Sequence, residues 1–382
     1  MAAGIVLSRM AKVCILLTHH WGSARGGAEY QAHLFADYLA RTTDHEVTFL
    51  TCHPPSDPHK YSYSVRATSA RASPRFGMCW DTLPLYRSLV ELKPDLVIQR
   101  VASAHTGIAA IYCARQNSKL LWHVSSDRDV SDEPQLPVGR TASCIDRVLF
   151  RYGVRHANAV VTQTESQAAA LAANYGRSAT AIVSNFQPAP THAHEKSSRF
   201  TVLWVANFKR LKRPELFLKL ARELDGHDIS FKMAGRPERS AWCDSLIREI
   251  SDQPNIEYLG ELKQDGVNEQ LDCAHLLVNT SLYEGLPNTF IQAWMRGVLT
   301  ATLNVDPDGL ISKFDLGFCE PDFGRLKHRI LQMLDNREQL NCLASNARGF
   351  SIERFSMKNA QALSDVVSGM LIPKSDDAMS DS

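Results

Sequence analysis

In the stretch Gln187–Ala206, QPAPTHAHEKSSRFTVLWVA, the character of the chain changes abruptly near its middle. Gln187–Ser198 is polar, carries prolines and has no hydrophobic period, which predicts a linker rather than part of a core. Arg199–Ala206 is a short apolar run with β-branched and aromatic residues, which predicts a buried strand. A core strand that starts afresh after a linker opens a second domain. We therefore expect a first domain at 1–190, a linker at 191–198 and a second domain at 199–355.

Upstream of the linker, short apolar runs alternate with helix-length segments. KVCILL (Lys12–Leu17) precedes a glycine turn and a helix over Ala28–Arg41. HEVTFLTC (His45–Cys52), PDLVIQR (Pro94–Arg100), a helix through Gly107–Gln116 and KLLWHV (Lys119–Val124) follow. ANAVVTQT (Ala157–Thr164) and ATAIVSNF (Ala179–Phe186) complete this half. Downstream the alternation resumes with a helix over Pro214–Gly226, ISFKMAG (Ile229–Gly235) and a helix over Trp242–Asp252. IEYLG (Ile256–Gly260), HLLVNTS (His275–Ser281) and a helix after Pro287 come next. Strands apolar throughout, separated by helices, are the pattern of parallel sheets covered on both faces. The fold class expected is α/β, two doubly wound Rossmann-like domains with C-terminal helices. From Lys327 to Leu371 the pattern is helical. The piece at 356–372 is expected to pack back on the first domain, and PKSDDAMSDS (373–382) to be disordered.

A chain of 382 residues exceeds what one hydrophobic core usually serves. Apolar and charged contents of 44% and 22% are those of a globular protein, and a net charge of +1 lacks the basic excess of a nucleic-acid binder. Nine cysteines are scattered without a CxxC pair, several inside apolar runs. They read as free thiols of a reduced, cytosolic protein rather than as disulfides or a zinc site. The N-terminal MAAGIVLSRMAKVCILL is interrupted by Arg9 and Lys12, unlike a signal peptide. No run of about 18 apolar residues occurs, so no spanning helix is expected.

The segment richest in chemistry is NTSLYEGLPNTFIQAWMRG, Asn279–Gly297. A strand delivers Glu284 to a glycine-bearing loop, Pro287 suits a first helical turn, and Gly297 suits its far end. Asn288, Thr289 and Phe290 leave backbone N–H groups at the positive end of that helix, a seat for phosphate. Gln292 is expected to face out of the first turn. In HHWGSARGGAEYQ (His19–Gln31), Gly26 and Gly27 lie between a strand and a helix, where amides approach a phosphate; a tight turn would use the same pair. WHVSSDRDV (Trp122–Val130) offers His123 at a strand end, beside the commoner reading of a structural histidine. Asp127, Arg128 and Asp129 are expected to pair with one another. The D-P-D of LNVDPDG (Leu303–Gly309) reads as a turn, not as a metal-ligand pair.

Together these segments resemble glycosyltransferase family 4, retaining enzymes of the GT-B architecture with two Rossmann-like domains facing across a cleft. The family's E-x7-E motif stands here as E-x7-Q, Glu284 and Gln292. The resemblance implies that Glu284 contacts the donor sugar and supports positive charge at its anomeric carbon. Gln292 takes the ribose position, keeping an acceptor but losing the charge-assisted bond. VLWVANFKRLKRPELFLKLA (Val202–Ala221) is similar to the family's phosphate segment: Lys212 matches its lysine, and Asn207 stands at its arginine position. Lys209, Arg210 and Arg213 are candidates to compensate. FKMAGRP and IEYLGEL fit strand–glycine signals around the base, which implies nucleoside contacts for Gly235, Arg236 and Leu262. By the same resemblance Gly26 and Gly27 face the donor phosphate and His123 the donor sugar.

The resemblance covers Lys12 to Leu371. It implies transfer of a sugar from a nucleoside-diphosphate sugar to an acceptor hydroxyl, with no cofactor beyond that co-substrate, no metal and no nucleic acid. Lys60, Arg66, Arg71 and Arg75, a stretch without an acid, read either as a contact for an anionic membrane carrying a lipid-linked glycan or as a plain basic loop. Two other readings stay open. One is a sugar-nucleotide epimerase of the same architecture; the other is a binding or scaffolding subunit whose donor site was lost at Asn207 and Gln292.

Overall fold

The computed structural model describes residues 10–24, 26–71, 77–132, 134, 136, 143–191 and 196–372. Arg75, residues 192–195 of the expected linker and the expected disordered tail at 373–382 lie outside the described residues. The chain divides into two compact units, Met1–Asn185 with Lys358–Ser382, and Phe186–Met357.

The first unit alternates as the sequence pattern predicts. Its elements run β1 Lys12–His19, α1 Gly27–Thr42, β2 Glu46–His53, β3 Ser64–Ala67, α2 Thr82–Leu92 and β4 Leu96–Arg100. They continue with α3 Ala104–Gln116, β5 Lys119–His123, α4 Ser143–His156, β6 Ala159–Thr162, α5 Glu165–Tyr175 and β7 Ala181–Ile182. The strands form one sheet of order β3-β2-β1-β4-β5-β6-β7, and every pairing is parallel. A chain that winds outward one way from β1 and then the other way from β4 is doubly wound, and it opens a crevice at the carboxyl ends of β1 and β4. All of β4 is buried, Gln99 and Arg100 included.

The second unit repeats the plan: β8 Phe200–Val205, α6 Pro214–Glu223, β9 Ile229–Ala234, α7 Ala241–Ser251, β10 Ile256–Tyr258, α8 Gln264–Cys273 and β11 Leu276–Asn279. It continues with α9 Asn288–Trp294, β12 Leu299–Thr302, α10 Leu310–Lys313, β13 Gly317–Cys319, α11 Phe323–Asp335 and α12 Arg337–Arg354. Its order is β10-β9-β8-β11-β12-β13, again all parallel, with the switch between β8 and β11. Trp204, Phe217, Phe231, Phe290 and Trp294 fill its core. Gln187, which opens the polar stretch and falls within the expected first domain at 1–190, gives its backbone N–H to Phe355 O at 2.9 Å, inside this unit.

The last helix, α13 Lys358–Leu371, belongs with the first unit, burying Ala360, Leu363 and Val367. The Tyr38 hydroxyl of α1 donates to Gln361, and Asn359 Nδ2 to Ser184 O at 3.3 Å. No helix among the described residues is long and apolar enough to cross a membrane.

Candidate active site

The second unit brings two of the predicted residues together. Lys212 leaves the carboxyl end of β8 in a 3-10 turn, Arg210–Lys212; Glu284 lies in the loop from β11 to α9. Their side chains form an ion pair, each about one-fifth exposed. Thr280 laces the two loops: its hydroxyl faces Lys212 O at 2.6 Å and Arg213 O at 3.0 Å, and accepts from Trp204 Nε1 at 3.0 Å. Leu282 N donates to Leu211 O at 3.0 Å, and Ser281 Oγ donates to the Glu284 carboxylate at 2.7 Å. Arg213, at φ 48, gives Nε to Thr280 O at 2.6 Å and a terminal nitrogen to Ser281 O at 3.3 Å. The pair is thus held on rigid loops at the switch point, where doubly wound sheets bind ligands.

The candidates to compensate for Asn207 divide. Arg213 is committed to carbonyls, and Arg210 lies over the Trp242 ring at 4.1 Å from its centroid. Lys209 keeps an exposed side chain. Asn207 Oδ1 accepts from Arg236 N at 3.3 Å, tying together two residues assigned to phosphate and nucleoside. Gly235 permits a close approach of chain to chain: a Cβ there would meet Ala206 O at 1.7 Å. Gly260 instead occupies a left-handed turn at φ 70 with nothing around its missing Cβ. Leu262 is half-buried and packs under Gly266.

Gln292 does not face out as expected. It is 3% exposed, and its Nε2 donates to Gln187 Oε1 at 3.4 Å, while Gln187 Nε2 reaches Asn288 Oδ1 at 3.4 Å. The physical reason is that α9 is buried all round over Phe290–Trp294, so position 292 has no outward side to face and turns to the chain that enters the unit. Thr289 follows Asn288 in the same first turn, and Gly297 takes φ 65 after the helix ends. Asp306 of the D-P-D accepts from Ile311 N at 2.8 Å and from Ser312, capping α10.

In the first unit, His123 ends β5 beside Arg100 at the end of β4. Arg100 donates to His123 Nδ1 at 3.2 Å and to Asn185 Oδ1 at 2.8 Å. All three are at most 5% exposed. Burial, then the neighbouring guanidinium, holds the imidazole well below the usual histidine range. Burial lowers Arg100 to about 10, with Asp129 and Glu29 opposing. His123 Nε2 has no hydrogen-bond partner among the described residues. Just beyond Arg100, the β-branched Val101 is held at φ 73, a strained conformation of the kind that clusters at functional sites. Gln99 Nε2 braces it through Arg100 O at 2.6 Å and Val101 O at 2.9 Å.

Gly26 caps α1 and Gly27 opens it. A Cβ on Gly26 would lie 2.1 Å from a Glu29 carboxylate oxygen, so the glycine makes room for the acid folded over the helix start. Asp127 and Asp129 are not paired to Arg128 as expected. Asp129 accepts from Ser125 N at 2.9 Å, Ser125 Oγ at 2.7 Å and Ser126 N at 3.1 Å, and Asp127 accepts from Gln167 at 2.9 Å. They shape the loop behind His123. Sequence reasoning missed Arg100 and gave Asn185 no part in the site; the available signal was a charged residue closing an otherwise apolar strand. Among the described residues one group has metal-ligand chemistry, Cys52, Asp81 and His105, where His105 Nε2 and Asp81 Oδ2 already share a hydrogen bond at 2.9 Å.

Comparison with known proteins places these features in context. A family model described as Glycosyltransferase Family 4 matches residues 25–186, and one described as Glycosyl transferases group 1 matches residues 199–336. Among solved structures, Anabaena HepE in complex with UDP and glucose is similar at a TM-score of 0.74 and 16% identity, covering 94% of this chain and 100% of that one. Sucrose-phosphate synthase from Thermosynechococcus elongatus gives 0.75 and 14%, covering 95% and 99%. The lipopolysaccharide outer core galactosyltransferase WaaB gives 0.64 and 14%, covering 94% and 99%. Likeness at such identities is a likeness of fold. No curated protein matches the chain in sequence.

Proposed function

The chain belongs to the glycosyltransferases, of the family 4 and group 1 kind, and from that premise we propose that it moves a sugar from a nucleoside-diphosphate sugar to a glycan hydroxyl with retention of anomeric configuration. The observation that carries the reading is the Lys212–Glu284 pair at the switch point of the second sheet. Transfer from such a donor requires a cation for the departing diphosphate and an anion or acceptor beside the sugar as it gains positive charge. In the free protein the two groups neutralise each other. When donor binds, the diphosphate takes Lys212 and leaves the carboxylate to the sugar. Backbone N–H groups at Asn288 and Thr289 would share the phosphate charge. Gly235, Arg236, Leu262 and Gln292 would frame the nucleoside.

His123 adds a specific role. Arginine can only donate, so His123 Nδ1 must accept, and the proton sits on the unpartnered Nε2. A buried N–H without a partner is costly and suits a sugar hydroxyl or the leaving oxygen. Lysine and backbone amides supply the leaving-group charge, so we read the reaction as metal-independent. The solved HepE and TarM complexes contain UDP, and WaaB acts on lipopolysaccharide outer core by its description. These support a uridine donor and a lipid-linked or surface glycan as acceptor.

Calorimetric titration with UDP, GDP and ADP, paired with transfer and hydrolysis assays on their sugars, tests the reading. One nucleoside diphosphate should bind saturably, and Lys212→Ala should weaken it by on the order of tenfold or more. Glu284→Gln removes the competitor for Lys212, so binding should hold or tighten while turnover falls about a hundredfold. Chelator should leave turnover unchanged. Absence of binding by every diphosphate would hand the protein to the scaffolding reading, and interconversion of the free donor would hand it to the epimerase reading.

A further inference from the structure

Helix α4 is apolar on two sides, and only one of them is covered. Inward, Phe150 and Val154 are fully buried, and the helix crosses α3 at backbone distance. A Cβ on Gly153 would lie 2.5 Å from Thr106 C, and one on Gly107 would lie 2.1 Å from Leu149 O. Outward, Ile145, Val148 and Tyr152 are 58%, 66% and 36% exposed. Their spacing of three and four residues sets them in one stripe. Large apolar side chains exposed together in one stripe mark an interaction surface, so this stripe calls for a partner.

The rest of the surface says which partner. Arg151, Arg155 and His156 are the exposed basic residues of α4. Its one acid, Asp146, is buried and accepts from the backbone N–H groups of Met78 and Cys79 at 2.8 Å each. Those two bonds fasten the 3-10 turn Met78–Asp81 to the start of α4. Trp80 in that turn is 77% exposed and Leu83 just beyond it 56%, which extends the apolar patch. Arg71 N donates to Asp81 at 2.8 Å, so the basic stretch singled out in the sequence runs up to the same place. Among the described residues Arg151 pairs with one acid, the exposed Asp132 at 3.8 Å. α4 follows β5 and so begins toward the carboxyl edge of the sheet, where His123 ends.

We propose that this face of the first unit docks on an anionic lipid bilayer. Tryptophan suits the level of the headgroups, the aliphatic stripe suits the acyl boundary, and the excess of arginines over acids on the exposed side of α4 suits a negative surface. The inference deepens the transferase reading, and rests on it, by placing the acceptor on a lipid surface that the first unit docks to.

Co-sedimentation of the full-length protein with vesicles of phosphatidylcholine, with and without phosphatidylglycerol, is the test. The protein should bind only the anionic vesicles, and added salt should weaken it. Arg151→Gln and Arg155→Gln should each lower affinity about fivefold. Trp80→Ser with Val148→Ser should lower it about tenfold or more, with nucleotide binding retained as proof of folding. Brominated lipid should quench fluorescence in the wild type more than in Trp80→Phe. No vesicle binding by the wild type, or undiminished binding by the Trp80→Ser/Val148→Ser protein, would overturn the proposal. A dimer that dissolves in that variant, without vesicle binding, would also overturn it and assign the patch to a second copy. Failure of nucleotide binding in the wild type would strike the transferase reading alone.

Discussion

The guanidinium of Arg100 has only N–H groups to offer, so the imidazole beside it must meet it with a lone pair. That constraint fixes the His123 tautomer, burial and then the guanidinium keep the ring neutral near pH 7, and Nε2–H is left without a partner among the described residues. His123→Ala should therefore lower kcat on the order of a hundredfold, the usual worth of one donor lost from a charge-stabilising site. Diphosphate affinity should hold, because Lys212 and Glu284 are untouched. A ring that stays neutral contributes no ionisation between about pH 6 and 8, so its loss should change the height of the kcat profile and not its shape. A shape change would show that His123 titrates, and would refute the tautomer argument. At this scale the sequence was partly legible. Glu284 stood out through the loop and helix start around it, and Lys212 through its place in the segment that resembles the family's phosphate segment. Arg100 did not, because a lone arginine at a strand end gains meaning only when burial and Asn185 are seen. Gln292 misled, because α9 is buried on every side around it and a polar residue there gave no sign of that.

Elements were legible where a whole run is buried. β1, β4, β5, β8 and β11 are apolar almost throughout, and no surface reading competes with them. β3 was missed since SVRA is a mostly exposed edge strand without a period to read, and the two-residue β7 is much shorter than the run that suggested it. Helix α2 escaped because its buried side rests on Leu85 and Leu89 alone. Glycines mark where elements touch, but sequence does not say what they touch. Gly235 and Gly260 look alike as strand-end glycines, yet only Gly235 has chain pressed against it. Gly235→Ala should cost about 2–4 kcal/mol, because β8 and β9 must part to admit the methyl group. Gly260→Ala should cost only about 1 kcal/mol, the price of a left-handed alanine in open space. Urea unfolding of the two variants measures both, and equal losses would show that backbone conformation, not the contact with Ala206, governs Gly235.

Across the whole molecule, acid should act through buried imidazoles in both units. His20 accepts Gly22 N–H on Nδ1 at 3.0 Å, and His275 accepts Thr201 N–H on Nδ1 at 3.1 Å. A proton added to either nitrogen breaks that bond and charges a buried ring. Burial, aided by His33 and Lys60, lowers His20 to about 4; burial, aided by Arg337 and Lys196, lowers His275 to about 4. An unfolded histidine titrates near 6.5, so between about pH 6.5 and 4 the unfolded chain binds protons that the folded chain refuses. Stability from these groups is complete above that window and falls as pH drops through it. At about pH 5 each ring should have cost on the order of 2 kcal/mol, with the buried His123 adding in the same direction. Both rings are under 8% exposed, so solvent screening removes little of this. Urea unfolding at about pH 7.5 and about pH 5 should show the midpoint falling, and falling less in His275→Gln, whose side chain keeps an acceptor for Thr201 N–H without a proton to gain. A midpoint that holds steady over this interval, or an equal drop in that variant, would show that these imidazoles do not couple folding to acid.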